Sequence, residues 1–269
     1  MGKSASITSP TMDYLTHPGP YRVASGDLML AGLPGLILAP VSGQKLPAVA
    51  FAHHWLQPVN RYLGTLRYLA SWGIVVVAPR TERGPMPSYY GLGDDLYTAL
   101  QLIAHSRLAD RAVTVDLGRI GVAGHGTGGG AAVLAAANNP GIKAVVTVNA
   151  VNIVPSAETA AGNCTVPALH LSGGKDRITP ADSNAEKIAR AWAGPVQYRT
   201  ISRATHLGLA EGKHWTSTLL GEGGEKATQR IARSLMTAFF LQHLNDQEQL
   251  SDELAKGFGG TRKADFSTL

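Results

Sequence analysis

Short apolar runs of strand length alternate along this chain with stretches that repeat apolar residues at helical spacing. The apolar runs predict strands at residues 35–39, 48–52, 74–78, 120–123, 144–148, 168–171 and 196–201. The helical stretches lie at residues 62–72, 94–108, 128–138, 181–192 and 225–244. Strands that alternate with helices favour a mainly parallel sheet that is covered by helices on both faces. We therefore expect an α/β fold without a large lid domain.

The two ends of the chain differ in composition from its middle. Residues 1–25 and 246–269 are polar and rich in Gly, Ser and Thr, which is typical of poorly ordered or surface-wrapped segments. We predict an N-terminal extension over residues 1–25, a single α/β domain over 26–245 and a polar tail over 246–269. A chain of 269 residues, 44% of them hydrophobic, is long enough to bury one large core.

Charge and cysteine content narrow the choice of partners and compartment. The net charge is +5, but the cations are scattered and no basic run is interleaved with aromatics, so we expect no nucleic-acid groove. No apolar run approaches the roughly 20 residues that span a bilayer. The single Cys164 and the lack of a secretory signal pattern favour the cytoplasm, or secretion if a leader was removed. The oligomeric state stays unknown at this stage.

The segment GHGTGGG, residues 124–130, joins a strand-like run to a helix-like run. Serine hydrolases read G-x-S-x-G at such a strand, turn and helix, which form the nucleophile elbow. The central position here is Gly126, which has no side chain to form an acyl intermediate. Loss of a triad nucleophile costs about a millionfold in turnover. Because glycine tolerates the strained backbone of an elbow, we predict an elbow that keeps its shape without its nucleophile.

Two further residues that can carry chemistry follow the last two predicted strands. Asp176 comes after the strand at 168–171, and His206 comes after the strand at 196–201. The order elbow, Asp, His matches the α/β-hydrolase arrangement, in which the Asp orients the His beside the elbow. We expect Asp176 to accept a hydrogen bond from one ring nitrogen of His206, which leaves the other nitrogen facing the elbow as a base.

The loop after the strand at 48–52 predicts part of an anion hole. It begins His53-His54-Trp55, where hydrolases carry an H-G-x segment whose backbone supplies one oxyanion donor, so His54 stands at the glycine position. We predict the backbone amides of Trp55 and Thr127 as the two donors. A turn-rich segment at 80–93 follows another strand and is expected to form a rim of the cleft. The residues expected to contact substrate are His54, His125, Tyr89 and Tyr90.

From about residue 16 to residue 244 the chain resembles the dienelactone hydrolase and bacterial cutinase (polyester hydrolase) branch of the α/β-hydrolases. The motifs that carry the resemblance are Gly19-Pro20, Ser71-Trp72-Gly73-Ile74-Val75-Val76, Gly124-His125, Gly128-Gly129-Gly130, the G-x-x-D-x-x-x-P stretch at 173–180, and Ala204-Thr205-His206. The resemblance implies an α/β-hydrolase fold, Asp176 as triad acid, His206 as general base, and the Trp55 and Thr127 amides as oxyanion donors. It implies serine at the nucleophile position, where this chain has Gly126. No cofactor is expected.

Three functions stay open on these residues. The favoured one is an esterase-like protein, impaired in covalent hydrolysis, whose cleft binds an ester, acyl or carboxylate ligand. The second is an active carboxylic ester hydrolase of which this chain is a Ser-to-Gly variant. The third is a non-covalent catalyst that uses His206 as a general base.

Two other interpretations of the same segments are disfavoured. Thr127 is a poor replacement nucleophile because its side chain should leave the turn in a different direction. A metal site is disfavoured because the spacing of the candidate histidines fits no tight ligand motif. Those histidines are His53, His54, His125 and His206.

Overall fold

The computed structural model describes residues 11–106, 108, 112–264 and 266. Residues 1–10 of the predicted N-terminal extension, residue 107 of a predicted helix, and residues 265 and 267–269 of the predicted tail lie outside the described ranges. The boundaries proposed at 25/26 and 245/246 stay predictions.

The described residues form a nine-stranded sheet in the order β1-β2-β4-β3-β5-β6-β7-β8-β9. Strands β3 to β8 are mutually parallel, whereas β1, β2 and β9 add to the two edges in antiparallel pairs. The bounds are β1 Val23–Asp27, β2 Gly35–Pro40, β3 Gly43–Ala52, β4 Val75–Pro79, β5 Val113–His125, β6 Ile142–Val148, β7 Ala168–Gly173, β8 Val196–Ile201 and β9 Thr261–Ala264. Each of the predicted strands is present, and the predicted α/β-hydrolase fold is confirmed.

Helices cover both faces of the sheet. Their bounds are α1 Leu63–Ser71, α2 Tyr89–His105, α3 Thr127–Asn138, α4 Ala157–Ala161, α5 Ala185–Ala191, α6 Trp215–Leu220, α7 Lys226–Leu244 and α8 Leu250–Ala255. Side chains of α1, α7 and α8 pack into one buried cluster, and those of α2, α3 and α5 pack into the other. Strand β3 supplies both, because Val49 and Phe51 face the first cluster while Ala48 and Ala50 face the second. The sheet is therefore the middle layer of three.

Helix α2 begins earlier than the sequence pattern indicated. The prediction placed a loop at 80–93 and a helix start near Asp94, but the helix starts at Tyr89. Ser88 caps it by accepting a hydrogen bond from the Gly91 amide at 2.9 Å. The predicted helix start was wrong because the Ser88 cap begins the helix five residues before Asp94. As a result, Tyr89 lies in the first turn of a helix.

The predicted tail contains ordered secondary structure. Helix α8 packs against α7, and β9 pairs with β8 at the edge of the sheet. The sequence pattern did not indicate either element, because both are short and polar.

Tight backbone crossings fix where α3 starts relative to the sheet. A Cβ atom on Gly128 would lie 2.4 Å from the carbonyl oxygens of Ala52 and His53, and one on Gly124 would lie 2.2 Å from the Gly128 oxygen. Only glycine allows the first turn of α3 to approach β3 and β5 this closely. The crossing brings the loop after β3 directly over the β5–α3 turn.

Within the described ranges, no helix has the length and apolar character needed to cross a bilayer.

Candidate active site

The turn between β5 and α3 has the backbone of a nucleophile elbow. Gly126 lies there at φ 57° and ψ −121°, in the left-handed region where residues with a side chain are strained. Its amide donates to the Val148 oxygen at 2.9 Å, and its oxygen accepts from the amides of Gly129 and Val151, each at 3.0 Å. Neighbouring segments thus hold the strained turn in place.

Asp176 and His206 form a buried hydrogen-bonded pair beside this turn. Asp176 Oδ2 lies 2.8 Å from His206 Nδ1, and Asp176 Oδ1 accepts from the amides of Ile178 at 3.0 Å and Thr179 at 2.9 Å. Burial alone would raise the pKa of Asp176, but His206 and Thr179 stabilise its charged form and hold the pKa below its usual value. Because an ionised carboxylate only accepts, His206 Nδ1 carries the proton and its Nε2 is left as an acceptor.

The imidazole of His54 occupies the space where a nucleophile side chain would stand. A Cβ atom built on Gly126 would lie 2.2 Å from His54 Nδ1. The other ring nitrogen, Nε2, lies 3.3 Å from His206 Nε2. The residue is only 9% exposed, so the ring fills the elbow and a side chain at position 126 would have to displace it. The sequence identified position 54 but did not indicate this placement.

The surrounding donors fix how the His54 ring is protonated. The Thr127 amide donates to Nδ1 at 3.2 Å, so we assign the proton of the neutral ring to Nε2, which donates to His206 Nε2. Burial lowers the pKa of His54 well below its usual value, and the nearby His206, His125 and His53 lower it further. The hydrogen bonds then run in one direction, from the Thr127 amide through His54 and His206 to Asp176.

Both predicted anion-hole amides lie at the elbow, and protein atoms already occupy both. The Thr127 amide is bound to His54, and the Trp55 amide donates to Thr127 Oγ1 at 2.9 Å. The Trp55 ring is 40% exposed, and its Nε1 donates to the Pro85 oxygen at 3.3 Å. Both amides are therefore hydrogen-bonded within the chain, and their role as anion-hole donors stays a prediction.

His125 and Tyr62 support the elbow from behind. Tyr62 donates its hydroxyl proton to His125 Nδ1 at 2.8 Å, and His125 Nε2 donates to the His206 carbonyl oxygen at 2.8 Å. Tyr62 also accepts from the His54 amide at 3.3 Å. Burial lowers the pKa of His125 to about 3, so its ring is neutral. The expected contact of His125 with substrate does not fit this fully buried position, whereas its partner Tyr62 was missed because no motif marks it.

Two further residues anchor the loops that carry the site. Arg61 is 4% exposed and joins the loop after β3 to α6 and the loop before it, donating from Nε to the Glu211 main-chain oxygen at 2.9 Å and from Nη2 to Ser217 Oγ in α6 at 3.1 Å. Glu225 accepts from Thr205 Oγ1 at 2.8 Å, beside His206. Sequence reasoning missed both, because no motif marks these contacts with Glu211, Ser217 and Thr205, which lie far from them in the chain.

A small pocket lies beside the loop after β3. Its volume is about 220 Å³, and its lining residues are His53, Leu56, Gln57, Pro58, Arg83, His214 and Trp215. Tyr89 lies close enough to Thr127 to interact with the Thr127 hydroxyl, while the Tyr90 side chain is 49% exposed.

In the described part of the chain, no three His, Cys, Asp or Glu side chains are arranged to hold a metal ion.

Comparison with known families agrees with this geometry. The family model described as PET hydrolase-like matches residues 10–219, which is more than half of the chain. A search of curated proteins gave no match. The matched region contains the elbow, the Asp176–His206 pair and the loop after β3. The chain therefore belongs to the PET hydrolase-like family, a cutinase-like group of α/β-hydrolases.

Proposed function

We propose that this protein is an esterase-like member of its family that does not form an acyl-enzyme and whose cleft binds an ester, acyl or carboxylate ligand. The observation that carries the proposal is the His54 ring in place of a nucleophile side chain, above Gly126. Acyl transfer through an enzyme intermediate needs a side-chain nucleophile at the elbow, and Gly126 has none.

The rest of the catalytic constellation supports retained binding. Asp176 and His206 keep the acid and base positions, and the amides of Thr127 and Trp55 keep the donor positions. Amides at the start of a helix such as α3 favour an anionic partner, because the positive end of the helix dipole adds to their own polarity. These features favour a ligand with a carbonyl or carboxylate oxygen.

The pocket beside the loop after β3 favours a small ligand. Its volume of about 220 Å³ is below the roughly 300–1,000 Å³ that is typical of pockets for drug-sized molecules. Among the described residues that line it, Arg83 is the one Lys or Arg, and none has a carboxylate side chain. Trp215 adds an indole that is 57% exposed. A short acyl chain or a small aromatic carboxylate suits this combination.

The alternative of an active hydrolase that has lost its serine through one substitution has less support. A serine at position 126 would place its Cβ 2.2 Å from His54 Nδ1, below any normal contact distance. The two positions are therefore matched to each other, glycine at 126 with histidine at 54. A single exchange of serine for glycine does not account for the histidine.

Restoring both family residues tests the proposal. The parent chain, Gly126→Ser, His54→Gly and the double variant are compared for p-nitrophenyl butyrate hydrolysis and for covalent labelling by a fluorophosphonate. We expect labelling and strong activity in the double variant, because it has a serine, a free base and a free Thr127 amide. Gly126→Ser alone should stay far less active. Adding His206→Ala to the double variant should abolish its activity.

The parent chain gives the result that would contradict the proposal. A burst of p-nitrophenol together with fluorophosphonate labelling of the parent would show that a nucleophile is present. Ligand binding is tested separately by the thermal shift that benzoate or butyrate produces in the parent. Arg83→Gln should weaken this shift, while Arg262→Gln, a matched change on the distant edge strand β9, should not.

A further inference from the structure

We propose that Asp176, His206 and His54 form a proton relay in which His54 Nδ1 acts as general base toward water, so that the protein hydrolyses small activated esters without an acyl-enzyme. The inference rests on the proposed loss of covalent hydrolysis and goes beyond it. His54, which the sequence indicated only as a substrate contact, becomes a catalytic residue.

The relay follows from three successive contacts with consistent polarity. Asp176 Oδ2 to His206 Nδ1 is 2.8 Å, His206 Nε2 to His54 Nε2 is 3.3 Å, and His54 Nδ1 to the Thr127 amide nitrogen is 3.2 Å. The carboxylate at one end only accepts, and the amide at the other end only donates. Each imidazole can take up a proton at one nitrogen and release one from the other. A proton that arrives at His54 Nδ1 therefore has a route to a site stabilised by Asp176.

The position of the Thr127 amide places the chemistry at His54 Nδ1. When water attacks a carbonyl, its oxygen and the developing oxyanion are bonded to the same carbon atom. A base for the water and a donor for the oxyanion must then lie side by side, as Nδ1 and the Thr127 amide do at 3.2 Å. On ligand binding, the oxyanion accepts a hydrogen bond from the Thr127 amide, and the water donates one to His54 Nδ1. The Trp55 amide, which donates to Thr127 Oγ1 in this structure, is the second donor within reach of the oxyanion.

The proposed step balances with water as the second reactant. Water gives a proton to His54 Nδ1 while the His54 Nε2 proton moves to His206 Nε2. The water oxygen bonds to the carbonyl carbon, and the π electron pair moves onto the carbonyl oxygen. When that pair re-forms the double bond, the bond to the alkoxy oxygen breaks, and the proton returns through His54 to the departing oxygen. One ester and one water give one carboxylic acid and one alcohol.

The surroundings of His54 restrict the substrate class. The titratable groups around its ring are His206, His125 and His53, and the Tyr62 hydroxyl accepts from its main-chain amide. Burial makes the largest contribution to the lowered pKa of His54, and the three histidines lower it further. The ring is thus neutral at neutral pH and available as a base, but a weak one. A weak base suits esters with good leaving groups, such as aryl esters.

Hydrolysis of p-nitrophenyl acetate tests the relay. The proteins compared are the parent, His54→Gln, His206→Gln and Asp176→Asn, with exposed His105→Gln as the control for non-specific catalysis by imidazole. General-base catalysis contributes roughly 10²–10⁴-fold, so we expect His54→Gln and His206→Gln to lose at least about 100-fold and His105→Gln to lose nothing. The parent rate should fall in D₂O and should not change with fluorophosphonate.

A second measurement does not depend on whether the variants fold. Nitrogen NMR of the parent should show a His54 ring protonated at Nε2 and unprotonated at Nδ1 at neutral pH. A proton on Nδ1 in the neutral ring would overturn the assignment of that nitrogen as the base.

The remaining outcomes separate the two proposals. If the parent binds benzoate but hydrolyses no faster than the His54→Gln variant, the relay is refuted and the proposed function stands. A transient acyl-imidazole absorbance would refute both proposals, because His54 would then be a nucleophile that forms an acyl-enzyme. Fluorophosphonate labelling of the parent would refute the proposed function itself.

Discussion

Steric matching of His54 and Gly126 predicts strong energetic coupling between these two positions. We consider Gly126→Ala and His54→Ala, alone and together. A methyl group at 126 meets two penalties, because Gly126 is at φ 57° and the new Cβ would lie 2.2 Å from His54 Nδ1. The backbone strain costs about 1–3 kcal/mol. Forcing the packed ring aside adds about 1–3 kcal/mol.

The two penalties differ in whether they depend on His54. With the ring present, Gly126→Ala should lower the free energy of unfolding by about 2–6 kcal/mol. With His54 replaced by alanine, only the backbone strain is left, so the same change should cost about 1–3 kcal/mol. The expected coupling energy between the two substitutions is therefore about 1–3 kcal/mol, with the double variant more stable than additivity predicts.

Urea unfolding of the four proteins measures this coupling, provided that their m-values agree. Gly221→Ala, alone and with His54→Ala, is the control, because Gly221 is at φ 64° and a Cβ there would meet no atom of the described residues within 4 Å. The loss of unfolding free energy caused by Gly221→Ala should be the same with and without His54. Additivity of Gly126→Ala and His54→Ala within about 0.5 kcal/mol would refute the argument that the ring occupies the elbow.

Three further predictions concern other parts of the molecule. Burial lowers the pKa of His170 to about 3. Below about pH 6.5, His170 therefore binds a proton in the unfolded chain but not in the folded chain. The free energy of unfolding should then decrease by about 1.4 kcal/mol for each unit by which the pH is lowered, for this one group. His170→Gln should remove this contribution between pH 6 and 4, as measured by urea titrations. Gly128→Ala, whose Cβ would meet backbone oxygens at 2.4 Å, should lower the free energy of unfolding by about 3 kcal/mol or more. Gly84→Ala, whose Cβ would meet none of the described residues within 4 Å, should change it by less than about 0.5 kcal/mol. Arg61→Met should cost about 1.5–3 kcal/mol in chemical unfolding, and an unchanged midpoint would contradict its role in joining the two loops.

Much of the site could be predicted because it depends on strand ends. Parallel strands place their carboxyl ends at one edge of the sheet, so the order of Gly126, Asp176 and His206 along the chain was enough to bring them together. The two backbone donors followed from the same reasoning, since each occupies a fixed position relative to a strand.

The part that could not be predicted depends on side-chain conformation. The motif indicated that His54 replaces a glycine, but nothing in the sequence specified which way its ring turns. The ring turns into the space that Gly126 leaves open, and that result depends on two residues 72 positions apart in the chain. Helix α2 and strand β9 were misjudged for a simpler reason. A serine cap and a polar edge strand give weaker signals than an apolar repeat.

The hydrogen bond from the Thr127 amide to His54 makes the anion site compete with a group of its own chain. An external carboxylate binds only the fraction of molecules in which the Thr127 amide is not hydrogen-bonded to the ring, so its apparent dissociation constant is the intrinsic one divided by that fraction. If the ring contact stabilises the closed arrangement by about 1.4 kcal/mol, the measured affinity is about tenfold weaker than the intrinsic one. Ligand screens with the parent protein would then miss weak binders that the His54→Ala variant retains. The internal imidazole thus acts as a tethered competitor that is present at constant effective concentration.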